Sequence, residues 1–190
     1  LVYLVSFAAL YRTRARTSLI AFLAILIVEL ILKTKIEKSK KQALLLVTLI
    51  IAAGIIFPFV YVGLYTKGII TYNTFFFGKR VFTGRQYIWA NLWDYLQQNH
   101  IAFIWGVGYN TELYSRGTFN LHNAYLMIFA QYGLPTLLVY LAYIIHSVAG
   151  MFGKLGQISD LQFKCYQILL YVLIVGFGET VLSYLPNLIF

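Results

Sequence analysis

The chain has 190 residues, of which 61% are hydrophobic, 18% aromatic and only 11% charged, and its formal net charge is +9. A soluble domain carries about 25% charged residues, so the composition excludes an ordinary soluble domain and indicates a membrane protein. The basic residues stand in blocks beside apolar runs, as loop charges do, with no polar face for a nucleic-acid partner, and the single cysteine, Cys165, excludes a disulfide within the chain.

Leu1 to Leu10 is apolar but shorter than the ~20 residues that a membrane crossing needs. No basic residues precede it, as they would in a signal peptide. It reads as the tail of a helix, and residues 1–190 as a single membrane domain cut from a longer membrane protein. Arg12, Arg14 and Arg16 follow at alternate positions. The apolar runs predict an all-α, polytopic fold with spans near residues 17–32, 42–62, 135–152 and 161–178. Pro58 would kink the second of these, and Glu179 lies just past the end of the last.

Lys33, Lys35, Lys38, Lys40 and Lys41 form the densest basic block, and Lys154 and Lys164 agree with it when the spans alternate. The positive-inside rule then makes those lysines cytoplasmic. Residues 63–134 become a large extracytoplasmic loop, with Arg12, Arg14 and Arg16 on the same side. Arginines on that side either snorkel to lipid phosphates or meet an anionic ligand. Their planar, permanently charged fork suits paired phosphate oxygens.

Most side chains able to do chemistry fall in that loop: Arg80, Arg85, Arg116, His100 and His122. After Gly84, apolar residues at helical spacing (Ile88, Leu92, Tyr95, Leu96) with Trp89 and Trp93 predict an amphipathic interfacial helix carrying Arg85 in its first turn. Gly106-Val107-Gly108-Tyr109-Asn110 predicts a close backbone turn. His122-Asn123 opens a short apolar helix over 124–132, stopped by Gly133-Leu134-Pro135. Asp94 and Glu112 do not make an obvious glycosidase pair, and neither metal-ligand spacing nor a phosphate-cradling glycine loop occurs in the sequence.

Four signatures in order, Arg16-Thr17-Ser18-Leu19-Ile20, Gly84-Arg85 with Trp89, Gly106-Val107-Gly108-Tyr109-Asn110, and His122-Asn123-Ala124-Tyr125-Leu126 with Gly133-Leu134, resemble the C-terminal half of the O-antigen ligase and O-antigen or capsular polysaccharide polymerase family. The departure is Ala15, where the family often has serine, and the extra Arg12 and Arg14 leave the choice of arginine open. The resemblance implies a GT-C-like glycosyltransferase of the bacterial plasma (inner) membrane, working at its extracytoplasmic face without metal or other cofactor. It would take a glycan from an undecaprenyl-diphosphate carrier in the lipid bilayer. The flippase and chain-length regulator of the same pathway would be its protein partners.

On that resemblance His122, Arg85 and Arg16 are the catalytic candidates, and Arg12, Arg14, Asn123, Arg116 and Glu112 the substrate-binding ones. Arginines would hold the departing diphosphate. His122, with an ordinary pKa near ~6.5, would take the acceptor proton, Glu112 being the other candidate base. The leading expectation is polymerisation of lipid-linked repeat units. Alternatives are ligation to a lipid or surface acceptor, a non-catalytic flippase or exporter, and a structural subunit. A transporter would place polar groups at the bilayer midplane, whereas these spans are almost free of charge there.

Overall fold

The computed structural model describes residues 2–13, 16–69, 75–76, 79–80, 84–108, 121–152 and 157–179. Its helices are α1 (Val2–Thr13), α2 (Arg16–Ile27), α3 (Lys33–Glu37), α4 (Lys40–Thr66), α5 (Arg85–Gln98), α6 (His100–Trp105), α7 (Ala124–Gly150) and α8 (Asp160–Val175). One short antiparallel pairing, Phe75–Phe76 with Lys79–Arg80, is the strand structure among the described residues. The fold is therefore all-α, as the apolar runs predict.

Among the described residues two helices, α4 and α7, are long and apolar enough to cross a membrane. Only 28% of each apolar window is buried, whereas a core helix of a soluble protein would be mostly enclosed. Leu45, Leu49, Ile56, Leu138 and Val139 remain exposed, as residues facing lipid do. The run expected at 135–152 is the second part of α7, which starts already at Ala124, and α8 is a shorter helix than the span expected at 161–178.

The contacts divide the chain into two compact units, residues Leu1–Ala53 with Tyr140–Val175, and Gly54–Val139 with Gly176–Phe190. In the first, α2 packs on α1 and α8, over a core that includes Ala21, Val28, Ile36, Ala43, Val47, Phe163 and Leu170. The helix after Arg16 does not end with the apolar run at Leu32. It continues through a π-helical turn, Val28–Leu32, into α3. Charge pairing explains the continuation. Lys33 lies one turn from both Glu29 and Glu37, at 3.7 and 3.8 Å, and bonds Asp160 of α8 at 2.9 Å. Glu29, an acid in an otherwise apolar helix, also accepts a hydrogen bond from Gln167 at 2.6 Å. Part of the lysine block is thus helix rather than loop.

The second unit is an aromatic assembly on the latter part of α4. Trp89 meets Phe57 and Tyr61 edge-on at 6.0 and 5.1 Å, Trp93 meets Phe59 at 5.4 Å, and Tyr87 meets Tyr65 at 5.7 Å. The partners run in opposite order along the two helices, so α5 returns antiparallel beside α4. Such ring pairs add about 0.5–1.5 kcal/mol each beyond the area they bury.

The break expected at Gly133 is present inside α7, with φ 81° and ψ 176°. Pro135 has no N–H, so the carbonyl of Gln131 lacks its helical donor. Gly108 N–H supplies one at 3.0 Å, and Val107 N–H donates to Ala130 O at 2.7 Å. The close turn read at Gly106-Val107-Gly108 therefore repairs the break at Gly133-Leu134-Pro135. The approach is tight enough that a Cβ on Gly133 would collide with the Ile104 carbonyl, and one on Gly106 with the Gln131 carbonyl.

Candidate active site

The site candidates in the second unit converge at two helix starts. Gly84, in the left-handed region at φ 89°, turns the chain into α5, and its carbonyl accepts from Tyr87 N–H at 3.1 Å. Arg85 is the first residue of that helix. The dipole of a helix start favours an anion there, and the guanidinium adds a full charge. Its Nη2 pairs with Glu179 Oε1 at 3.8 Å.

The other start is α7. Asn123 is completely buried, and its side-chain amide is committed to the backbone. Oδ1 accepts from Leu126 N–H at 2.9 Å, the third helical residue, as an N-cap does. Nδ2 donates to Gly54 O at 3.2 Å and Phe177 O at 3.1 Å. Ala124 N–H adds a bond to Gly176 O at 2.8 Å. The Phe177 ring packs against Phe57 and Tyr125, both at 6.2 Å. Gly54 makes room for it, since a Cβ there would run into the Tyr125 ring. These contacts fix the turn that delivers Glu179.

His122 is held on both sides by this arrangement. Before it, the buried Trp89 Nε1 donates to Leu121 O at 2.6 Å, and after it stands Asn123. Its φ of 49° is in the left-handed region, which costs a residue other than glycine about 1–3 kcal/mol. That conformation persists because both neighbours are pinned. Burial lowers the His122 pKa from its ordinary 6.5, the Arg85 charge lowers it further, and Glu179 opposes them. The imidazole is thereby kept neutral and able to accept a proton near neutral pH.

Beside this cluster lies an apolar groove of about 220 Å³, lined by Pro58, Phe59, Val62, Trp93, Leu96 and Phe129 among others. Trp89 lines it too, so one ring borders the groove and anchors the residue before His122.

Arg85, His122 and Asn123 are thus drawn together, and Glu179 joins them. Arg12 and Arg16 belong to the first unit, in the last turn of α1 and at the first residue of α2. Arg14, Glu112 and Arg116 lie outside the described residues, as do Tyr109 and Asn110 of the glycine turn. His100 opens α6 and is exposed. Sequence reasoning missed Gln86, a polar residue buried on the apolar face of α5 with Trp89, Leu92 and Leu96. It also missed the anchoring role of Trp89. Among the described residues no three His, Cys, Asp or Glu side chains group as a metal site would need.

No curated protein and no solved structure matches the chain significantly. A family model described as O-antigen ligase matches residues 1–141, which include Arg16, Arg85, His122 and the glycine turn but not Glu179. With 141 of 190 residues matched and two apolar helices long enough to span a bilayer, the chain is a membrane protein that belongs to the O-antigen ligase family.

Proposed function

We propose that the protein is a glycosyltransferase that polymerises undecaprenyl-diphosphate-linked repeat units at the extracytoplasmic face of the bacterial plasma membrane. The observation that carries this reading is the pairing of a cationic helix start, Arg85 on α5, with a partly buried histidine whose pKa that arginine lowers. The cation suits a diphosphate leaving group, and the neutral imidazole suits the acceptor hydroxyl.

The acceptor oxygen attacks the anomeric carbon of the donor sugar, and its proton passes to the His122 imidazole. The bond from that carbon to the diphosphate oxygen breaks, and the electron pair leaves with the diphosphate. Charge gathering there is held by Arg85 and the first N–H groups of α5, which strengthens binding in the transition state over the ground state. A diphosphate leaves readily, so no general acid is required. One displacement inverts the anomeric centre; NMR of the product linkage tests this, and retention would contradict it. The groove beside Trp93 suits the isoprenoid chain of the carrier.

Asn123 acts through position, setting the backbone on which His122 sits. On the family resemblance alone, Arg16 is a further candidate for the diphosphate, and Arg12, Arg14, Arg116 and Glu112 are candidates for substrate binding. Ligation of the finished glycan to a lipid or surface acceptor is the second reading, favoured by the description of the matching family. Flippase and chain-length regulator remain the proposed protein partners.

The deciding experiment compares wild type, His122→Ala and Arg85→Ala in cells, resolving lipid-linked glycans by length with protein abundance monitored. Loss of long chains with accumulation of single repeat units is the polymerase result. Long chains retained on the carrier and absent from their final acceptor is the ligase result. Unchanged pools in His122→Ala would remove His122 from the chemistry.

A further inference from the structure

Gln86 follows Arg85 in the first turn of α5 and is 1% exposed. Among the described residues neither its Nε2 nor its Oε1 has a hydrogen-bond partner. Buried polar atoms are almost always satisfied, and each exception calls for an explanation. Leaving one unsatisfied costs about 1–3 kcal/mol, yet here both ends of one carboxamide are idle. On the same helix face Trp89, one turn on, donates to the carbonyl preceding His122. The idle amide thus lies on the anchored face of α5, at the end that carries Arg85.

We infer that Gln86 is a glycan-binding residue whose side-chain carboxamide takes hydroxyl groups of the sugar next to the diphosphate; this rests on the proposed transfer reaction. The chemistry of the amide selects that partner. A diphosphate only accepts hydrogen bonds, so it would satisfy Nε2 and set a negative oxygen against Oε1. An isoprenoid chain would satisfy neither atom. A sugar hydroxyl both donates and accepts, and two neighbouring hydroxyls can engage both ends of one carboxamide. Glu179 pairs with the adjacent Arg85, and the proposal requires that the groups covering the amide shift when a diphosphate takes the place of that acid. A site that hydrogen-bonds a substrate hydroxyl rejects donors lacking it, because its own buried polar atoms are then left unpaired. Gln86 would in this way set sugar specificity.

The test uses the full-length protein in lipid nanodiscs, with its native lipid-linked glycan as donor and sugar-free undecaprenyl diphosphate as competing inhibitor. The variants are Gln86→Leu, Arg85→Ala and His122→Ala. Gln86→Leu is expected to keep or raise the unfolding temperature, keep inhibition by undecaprenyl diphosphate, and lower kcat/KM for the donor at least ten-fold. Arg85→Ala should weaken inhibitor and donor together. Donor kcat/KM within two-fold of wild type in Gln86→Leu would overturn the inference, as would a parallel loss of inhibitor binding. If Gln86→Leu does not fold, Gln86→Met, which is unbranched and of similar length, carries the same readouts. No transfer by the wild-type protein from its lipid-linked donor would sink the transfer reaction itself, and a fully active His122→Ala would remove His122 from the chemistry without touching the test of Gln86. An inactive His122→Ala beside an unimpaired Gln86→Leu sinks only the role of Gln86.

Discussion

His122 is set by opposing influences: burial and the Arg85 charge lower its pKa, while Glu179 raises it. A general base must be deprotonated to act, so activity falls as pH drops through its pKa. The acid limb of kcat/KM is therefore expected below 6.5, the ordinary value. Arg85→Gln removes a cation and should move that limb up. Glu179→Gln removes an anion and should move it down. Residual activities measured across pH test the order of the three limbs, and shifts in the reverse directions would assign the limb to another group. Asn123 carries a different kind of load. Asn123→Ala deletes a helix cap and leaves the buried carbonyl of Gly54 and the part-buried one of Phe177 without their shared donor. A loss of about 3 kcal/mol is expected, read as a lower unfolding temperature in detergent. Asn123→Asp keeps the cap oxygen but turns an acceptor toward both carbonyls, so it should not rescue.

At the scale of elements, α5 serves the site with one of its faces and its first turn. Trp89→Phe keeps a ring against Phe57 and Tyr61 but removes the N–H that holds Leu121 O. Activity should fall about ten-fold, while stability changes by no more than about 1–2 kcal/mol; kinetics and thermal unfolding on the same preparation separate the two. Helix starts were legible in the sequence wherever a local rule sets them. Gly84 before Arg85, Asn123 before Ala124, and Gly133-Leu134-Pro135 each act within a few residues. What joins those starts was not legible. The partners of Asn123 lie 69 and 54 residues away, and periodicity carries no signal for such pairings. Gln86 was hidden for a related reason, since a polar residue on an apolar face reads as solvated until the fold encloses it. The lysine block reads as loop because two of the three acids that pair with Lys33, Glu29 and Asp160, fall outside it.

Across the molecule, the chain leaves the second unit at Val139 and re-enters it at Gly176. The returning residues Gly176, Phe177 and Glu179 supply two backbone acceptors and the acid that pairs with Arg85. All of them lie beyond the family-matched residues 1–141. A variant ending at Gly150 keeps α4 and α7 and should remain in membranes through alkaline carbonate extraction. It should nevertheless lose glycan transfer, because Asn123 and Ala124 lose acceptors and Arg85 loses its acid. Wild-type transfer by such a variant would show that this return is dispensable.

Pro135 leaves a carbonyl that Gly108 satisfies from 23 positions upstream of Gln131. The two glycine motifs are therefore halves of one fastening, and neither can be graded alone. Chimeras with relatives should exchange residues 104–108 and 130–135 as a set. Exchanging one half alone would strand a buried carbonyl or drive a side chain into the facing backbone, and an alignment-guided library treating the motifs as independent would discard sequences that are sound when paired.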